Sequence, residues 1–325
     1  MDTNSTIFRA SLGGVLIALA TCINLYFNGK VTGMSGMMYR NIFMDHDTNS
    51  WGMMLGLLLI GSVHIFMATT LSWITINPAE STAGGLSYYG FIIGGFCVGL
   101  GTKLGNGCTS GHGVCGMPRF SKRSWLAVPT FMTTAVLTAN LLARSGLTDY
   151  TPGDIPISLE VRKLLNYILL GVIIFLIFTL YIKSAEGPQQ KQYIISLITG
   201  LVFGLGLVIS QMSEREVIRA FLVFDSRWNY ALLIVFCGAV AFNLIFFNII
   251  LKQDKPVLNE KFEIPTNNTI DWKLIVGSAL FGVGWGTCGV CPGPLLVVFA
   301  RMIPQTSLAL LGGVVAGQFT AGRFL

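Results

Sequence analysis

The sequence predicts an all-α polytopic membrane protein made of two pseudo-symmetric halves, with interrupted helices and re-entrant loops rich in glycine and cysteine. Three observations lead to this prediction. Of the 325 residues, 53% are hydrophobic and only 11% are charged, whereas a soluble domain carries about 25% charged residues. The apolar runs are continuous rather than alternating, which favours helices over a β-barrel. Two glycine–cysteine motifs of matching spacing interrupt these runs.

Apolar runs follow one another along the whole chain, and the longer ones reach the roughly 20 residues that a helix needs to cross a bilayer. They cover residues 10–27, 51–76, 90–104, 125–143, 164–182, 193–209, 228–251, 272–285, 295–303 and 308–322. We expect the first run to be a retained helix, because it shows no clear small-residue cleavage site. The runs that are too short to span alone adjoin glycine or proline breaks, which predicts half-helices or re-entrant hairpins.

Polar connectors divide the chain into two halves of comparable pattern. The connector at residues 185–192 separates a predicted N-terminal membrane half, residues 1–185, from a C-terminal half, residues 193–325. Further polar connectors lie at residues 144–163 and 252–271. We expect the two halves to form a single integral membrane domain in the inner or plasma membrane.

The two motifs that interrupt the apolar runs share one spacing. Residues 99–108 and 282–291 both read G-x-G-x6-C, and Pro292 and Pro294 follow the second. Glycine and proline destabilise helices, and a bilayer tolerates such breaks only where protein or water surrounds them. Paired breaks at corresponding positions of two halves indicate a transport site. The alternative is a pair of glycine-packed helix contacts with incidental cysteines.

Two more segments extend the repeat. Gly204 and Gly206 are followed by Ser213 at the same spacing, and residues 28–36 are again rich in small residues after an apolar helix. The sequence therefore predicts four interrupted hairpins, two in each half. The cysteine loops belong to the second hairpin of each half, and we expect them to converge near the membrane midplane.

The seven cysteines do not suggest a disulfide framework, because their number is odd. Cys22, Cys97 and Cys237 lie inside apolar runs, which is typical of small core residues. Cys288 and Cys291 form a C-x2-C pair of a kind that also occurs in metal and redox sites. A structural zinc site needs four ligands, so we favour neither a metal nor a cofactor here.

The net charge of +6 has two explanations in a membrane protein. It reflects basic cytoplasmic loops, or it attracts an anion. No zinc-finger spacing, basic helix or RNA-binding signature predicts a nucleic-acid partner. No Walker A sequence supports nucleotide-driven pumping, and we expect no enzymatic activity.

Four segments carry a more specific pattern. Residues 105–113 read G-N-G-C-T-S-G-H-G, and residues 281–294 read F-G-V-G-W-G-T-C-G-V-C-P-G-P. Together with residues 28–36 and 200–222, they resemble the corresponding signatures of the YeeE/YedE sulfur-transport family. The resemblance follows most of the chain in order. In many bacterial relatives the two halves are separate proteins, whereas here they are fused.

The resemblance implies uptake of thiosulfate or a related sulfur anion, with cysteine thiols on a central path that contact the passing ion. The matching positions of the two cysteine motifs give the path residues Cys108, Thr109, Ser110, Gly111, His112, Cys291 and Gly293. Secondary candidates are Cys22, Ser35, Cys115, Gln211 and Cys288. Ser35 lies in the N-terminal motif, near which some members have a third path cysteine, and Cys22 is a possible substitute for it. Gln211 stands where family members often have glycine.

These residue types suit a sulfur anion. Thiosulfate is divalent and must replace its hydration shell to cross hydrocarbon. Glycine-rich turns expose backbone N–H groups, hydroxyls add hydrogen bonds, and a protonated thiol is a soft, weakly donating neighbour that can release its ligand. His112 either contacts the ion or bonds within its own loop. Lys103, Arg119, Lys122 and Arg123 either gather anions or anchor helix ends.

Two other functions remain open at the level of sequence. A membrane sulfurtransferase would take sulfur as a persulfide on Cys291 or Cys108 and pass it to a soluble sulfurtransferase partner. A transporter of selenium species or of another sulfur compound would use the same path. The lipid bilayer and a small sulfur-containing anion are the partners that the leading interpretation requires.

Overall fold

The fold is helical throughout the part of the chain that the structure describes. The computed structural model describes residues 3–44, 48–69, 86–146, 159–183, 187–226, 228–299 and 304–324. Within these ranges the regular structure consists of α-helices, one π-helical turn and one 3-10 turn, with a single isolated bridge between Lys30 and Glu263. The predicted all-α class is confirmed.

Twelve α-helices follow one another in the described ranges. They are α1 Thr3–Asn28, α2 Met34–Phe43, α3 Thr48–Thr69, α4 Tyr88–Leu104, α5 Lys122–Ser145, α6 Leu159–Lys183, α7 Pro188–Ile209, α8 Arg215–Leu222, α9 Ala231–Ile250, α10 Trp272–Cys288, α11 Pro292–Val298 and α12 Pro304–Phe324. The π-helical turn Thr109–Gly116 and the 3-10 turn Met117–Arg119 lie between α4 and α5. Parts of the predicted runs 51–76 and 295–303 lie outside the described residues.

Seven segments of the described chain are long and apolar enough to cross a membrane. Helices α1, α3, α5, α6, α7 and α9 provide six of them, and Trp272–Val298, which contains α10 and α11, provides the seventh. Large apolar side chains such as Phe175 and Phe178 of α6 lie exposed, as expected of a surface that contacts lipid. The chain is an integral, multi-pass membrane protein.

The helices form four units in which a short central element joins two long helices. Unit 1 contains α1, α2 and α3; unit 2 contains α4, the π-helical turn and α5; unit 3 contains α7, α8 and α9; unit 4 contains α10, α11 and α12. Helix α6 lies outside this repeat. These units correspond to the four interrupted hairpins that the sequence predicts.

Units 1 and 3 pack against each other in opposite senses. Helix α1 runs antiparallel to α7, since Gly13 lies against Gly206 while Asn28 Nδ2 donates to Ser196 Oγ at 3.0 Å. Helix α1 also packs against α9, and α7 also packs against α3. This exchange of corresponding contacts is what a pseudo-two-fold relation between the two units produces.

Units 2 and 4 repeat the same arrangement. Helix α4 runs antiparallel to α10, with Gly94 near Cys288 and Gly105 near Gly277. Helix α4 also packs against α12, and α10 also packs against α5. Unit 2 therefore enters the membrane in the sense opposite to unit 4, as unit 1 does to unit 3, which is the geometry of inverted repeats.

One connector defines a common face of the molecule. Leu258 N–H donates to Phe27 O at 2.8 Å, so the connector 252–271 covers the C-terminal end of α1. Arg123, at the start of α5, donates to Thr269 O of the same connector. We call this side the vestibule face, because a polar cavity opens there.

The glycine pairs of the repeated motif lie where long helices cross. A Cβ atom on Gly101 would collide with the backbone of Phe281 and Gly277, and a Cβ atom on Gly284 would lie 2.5 Å from Gly94 O. The two glycines of each G-x-G-x6-C motif therefore pack helices together, as the alternative interpretation expects. The cysteines lie at the helix breaks that follow these glycines. Small residues that let helix backbones approach are typical of membrane interfaces.

Replacing Gly101 with alanine tests this packing. The added methyl group would force α4 and α10 apart, and overpacking of this kind destabilises a protein by about 1–3 kcal/mol. The measurement is the midpoint of unfolding of the purified protein in detergent. Gly171→Ala in α6, where no atom of the described residues lies within 4 Å of the added Cβ, is the control and should unfold like the wild type. Equal midpoints for both variants would contradict the packing role.

Candidate functional site

The short central elements begin deep inside the protein rather than at its surface. The residues that precede their first turns are Gly33 for α2, Cys108 for the π-helical turn, Glu214 for α8 and Cys291 for α11. All of them except Gly33 are buried. The positive ends of the short helices therefore face the interior of the protein, as in transporters whose broken helices bind anions.

The loops of units 2 and 4 meet at the centre. Thr109 Oγ1 lies 3.4 Å from Cys291 Sγ, and Cys108 Sγ lies 3.3 Å from Ser110 Oγ. Cys108 is 1% exposed and Cys291 is 9% exposed. Because unit 2 turns from the vestibule face and unit 4 turns from the opposite face, this contact joins loops that enter from the two sides of the membrane.

The first unit adds a third wall to this contact. Met34 N–H donates to Ser110 Oγ at 3.2 Å, and a Cβ atom on Gly293 would lie 3.2 Å from Met34 Cγ. On the vestibule side, the backbones of Gly33 and Gly111 approach so closely that a Cβ atom on Gly111 would lie 3.8 Å from Gly33 Cα. These residues form what we call the constriction: Gly33, Met34, Ser110, Gly111 and Cys291.

A polar cavity, the vestibule, lies on one side of the constriction. It has an empty volume of about 750 Å³, part of which is open to the surroundings. Its walls include Gly33, Ser35, Arg40, Gly111, Arg119 and Arg123. The connector 252–271 contributes Pro265 and Asn267 to the rim.

An apolar cavity lies on the other side of the constriction. It has an empty volume of about 890 Å³, part of which is open to the surroundings. Its walls include Ile17, Phe131, Phe203, Leu207, Phe236 and Trp285. Thr109, Ser110 and Cys291 line it where it reaches the constriction.

Consecutive residues of two loops line the two cavities in turn. Ser110 lines the apolar cavity, and the next residue, Gly111, lines the vestibule. Met34 also lines the apolar cavity, whereas its neighbours Gly33 and Ser35 line the vestibule. The constriction therefore lies between the two cavities. Cys108 lines neither cavity and lies behind Ser110.

His112 holds the loop of unit 2 together and also forms part of the vestibule wall. Its Nε2 atom lies 3.0 Å from Gly105 O, and its Nδ1 atom lies 3.0 Å from Ser124 Oγ. A carbonyl only accepts hydrogen bonds, so Nε2 donates, and the neutral ring then accepts from the serine hydroxyl at Nδ1. These hydrogen bonds show the role within the loop, and contact of His112 with a passing ion stays a prediction.

Three secondary candidates have packing partners away from both cavities. Cys22 Sγ lies 3.2 Å from Asn243 Oδ1, Cys115 Sγ lies 3.5 Å from Thr32 O, and Cys288 Sγ lies 3.0 Å from Gly284 O. None of them lines either cavity. In these positions a cysteine acts as a small buried side chain with a weak donor.

Two further candidates have roles set by backbone geometry. Gln211 adopts a φ of 60°, a conformation that favours glycine, which explains why glycine suits this turn. Gln211 lines neither cavity. Gly293, by contrast, lines the apolar cavity next to Met34.

Sequence reasoning did not single out Met34 or Arg40 as site residues. Met34 lies inside the small-residue segment 28–36, so the segment was found but its central side chain was not. Arg40 lies one and a half turns further along α2 and lines the vestibule. Its only sequence signal was a positive charge in a short helix between apolar runs.

Comparison with known proteins connects this site to transporters. Residues 85–137 match a family described as sulphur transport, and residues 191–321 match a family of unknown function, DUF6691. A probable transporter of Xylella fastidiosa strain Temecula1 is 37% identical over 135 residues, which are 41% of this chain and 90% of that protein. A probable transporter of strain 9a5c is 32% identical over 131 residues, 40% of this chain and 91% of that protein.

A double-mutant cycle tests the role of His112 in the loop. His112→Phe should leave Gly105 O and Ser124 Oγ without their partner and destabilise the protein by about 1–3 kcal/mol. Ser124→Ala should be less harmful when His112 is already phenylalanine, because the bond between the two side chains is gone. Unfolding of the two single variants and the double variant in detergent gives the coupling. Strictly additive effects would contradict the bond.

Gly111→Ala tests the constriction. The added Cβ would make only ordinary van der Waals contact with Gly33 Cα, at 3.8 Å, so the protein should fold. The methyl group would narrow the constriction, so uptake of the transported solute by proteoliposomes should fall while the unfolding midpoint stays the same. Gly171→Ala is again the matched control. Wild-type uptake by Gly111→Ala would show that solutes do not pass here.

Proposed function

The chain belongs to the YeeE/YedE sulfur-transport family, and on this basis we propose that it takes up thiosulfate through the constriction between the vestibule and the apolar cavity. As a member of the family it is a sulfur-related membrane transporter. The observation that carries the finer proposal is the contact between Thr109 and Cys291, where loops from opposite faces meet.

The constriction offers an anion the groups that replace water. The hydroxyl groups of Thr109 and Ser110 can donate to an oxyanion. The first turns of the short helices present backbone N–H groups that have no partner within their own helix. In α11 only Gly293 can supply one, because Pro292 and Pro294 have no N–H. A divalent anion needs such groups, because an unpaired charge inside a protein is strongly unfavourable.

The cysteines supply the selectivity for sulfur. Cys291 lines the apolar cavity at the constriction, and its thiol lies 3.4 Å from Thr109 Oγ1. A neutral thiol is polarisable and donates only weakly, so it can contact the terminal sulfur of thiosulfate without trapping it. Cys108 lies one residue before Thr109 and contacts Ser110, so it contributes when the loop moves to admit the ion. Passage requires binding that is weak enough to release.

The burial of the thiols bears on the sulfurtransferase alternative. Cys108 is 1% exposed and Cys291 is 9% exposed, and a reactive cysteine that passes sulfur to a soluble partner needs an accessible thiolate. Burial therefore supports transport over transfer.

A persulfide on either cysteine after exposure to thiosulfate, detected by mass spectrometry, would favour the sulfurtransferase. Competition by unlabelled selenium and sulfur compounds in the uptake assay identifies the preferred substrate.

Serine substitution of each central cysteine tests the thiol contact. Cys108→Ser and Cys291→Ser keep the size and a donor but remove the soft sulfur, so thiosulfate uptake by proteoliposomes should fall at least about tenfold, which corresponds to about 1.4 kcal/mol of lost stabilisation. Cys237→Ser removes an exposed cysteine and should leave uptake unchanged. If both central variants carry thiosulfate like the wild type, the thiols do not contact the substrate.

A further inference from the structure

The charge in the vestibule is positive. Arg40, Arg119 and Arg123 line it, and none of the described residues that line it is acidic. The apolar cavity differs completely, since no charged side chain lines it within the described chain. A divalent anion is therefore stabilised on the vestibule side of the constriction and not on the other.

The protein holds the three guanidinium groups in place. Arg119 Nε donates to Cys115 O at 2.9 Å, and Arg123 donates to Thr269 O. Arg40 Nη2 donates to Ser50 Oγ at 3.4 Å. Each guanidinium has five N–H donors, so these bonds fix the side chains and leave donors for a ligand.

The charges of Arg119 and Arg40 are less compensated than that of Arg123. Arg123 Nη1 lies 3.6 Å from Asp271 Oδ1, so part of its charge is neutralised. Among the residues that the structure describes, no carboxylate lies within ion-pair distance of Arg119. Its charge therefore favours an anion in the cavity.

A buried hydroxyl points to the same ligand. Ser35 lines the vestibule and is 2% exposed, and its Oγ atom has no hydrogen-bond partner within the described residues. A buried hydroxyl without a partner in the protein is open to one from outside it, such as water or a ligand. Gly36, beside it in the first turn of α2, also lines the cavity.

No soft side chain lines the vestibule. Its described walls contain neither cysteine nor methionine, so its donors are guanidinium, hydroxyl, amide and backbone groups. These groups recognise the oxygen atoms of an anion and cannot tell a terminal sulfur from a fourth oxygen. Discrimination between sulfate and thiosulfate must then occur at Cys291.

We propose that the vestibule is a binding site for tetrahedral divalent oxoanions, formed by Arg119, Arg40, Arg123 and Ser35, which accepts sulfate as well as thiosulfate. In this proposal the anion enters from the vestibule side, so sulfate occupies the site without passing the thiols. The order in which an anion meets first the vestibule and then the constriction, here called the serial arrangement, rests on the proposed function. The binding of sulfate does not. Sulfate is therefore a competitive inhibitor of thiosulfate uptake and is not itself transported.

Sulfate binding to the purified full-length protein in lipid nanodiscs tests the site directly. Radiolabelled sulfate should bind saturably, and Arg119→Gln and Ser35→Ala should each weaken binding by about tenfold, because each removes a hydrogen bond to a charged ligand. Lys122→Gln removes one positive charge from an exposed neighbouring position and is the matched control. It should bind sulfate like the wild type.

The outcomes separate this proposal from the proposed function. Saturable binding that Arg119→Gln or Ser35→Ala weakens supports the site. If sulfate does not bind, or if both variants bind it like the wild type, the site is overturned. If Arg119→Gln fails to fold, Ser35→Ala decides between these results. Cys291→Ser should bind sulfate normally, so a loss of uptake in that variant reports on the thiol contact alone.

In transport, unlabelled sulfate should raise the KM for thiosulfate and leave kcat unchanged. Labelled sulfate should not accumulate inside the vesicles. An unchanged KM in the presence of excess sulfate would overturn the serial arrangement, as would accumulation of labelled sulfate.

Discussion

A helix that breaks inside a bilayer must direct its unpaired backbone groups toward protein or water, and the architecture follows from this constraint. The breaks of the four units therefore turn inward, and their backbone groups find partners there. Met34 N–H, in the first turn of α2, donates to Ser110 Oγ of unit 2. The crossing of α4 and α10 at Gly101 brings the breaks close enough to meet. The polar centre is thus a consequence of where the backbone groups at the breaks find hydrogen-bond partners.

The sequence predicted helices and their breaks best where local residue type alone decides whether a helix forms. The spacing G-x-G-x6-C located both central breaks, because glycine and proline weaken helices wherever they occur. Long apolar runs located the spanning helices for the same local reason. Helices α2 and α8 have only 10 and 8 residues, too short for an apolar run to mark them. The small residues before them were the only signal.

Relations between distant segments could not be derived from one sequence. An apolar helix has the same pattern in either direction, so the antiparallel pairing of α1 with α7, and hence the inverted repeat, required the structure. Arg119 and Lys122 look alike in the sequence, yet Arg119 lines the vestibule and Lys122 is exposed. Met34 appeared as one more apolar residue, although it packs against Gly293 at the constriction.

Cross-linking at the centre measures most directly whether the two loops meet. In Thr109→Cys, a new thiol replaces the hydroxyl that lies 3.4 Å from Cys291 Sγ, which is close enough for a disulfide with little movement. With a protease site inserted between α6 and α7, the two fragments of the oxidised protein should migrate together on a non-reducing gel and separate after reduction. Two separate fragments before reduction, with both cysteines open to alkylation, would contradict the meeting of the loops.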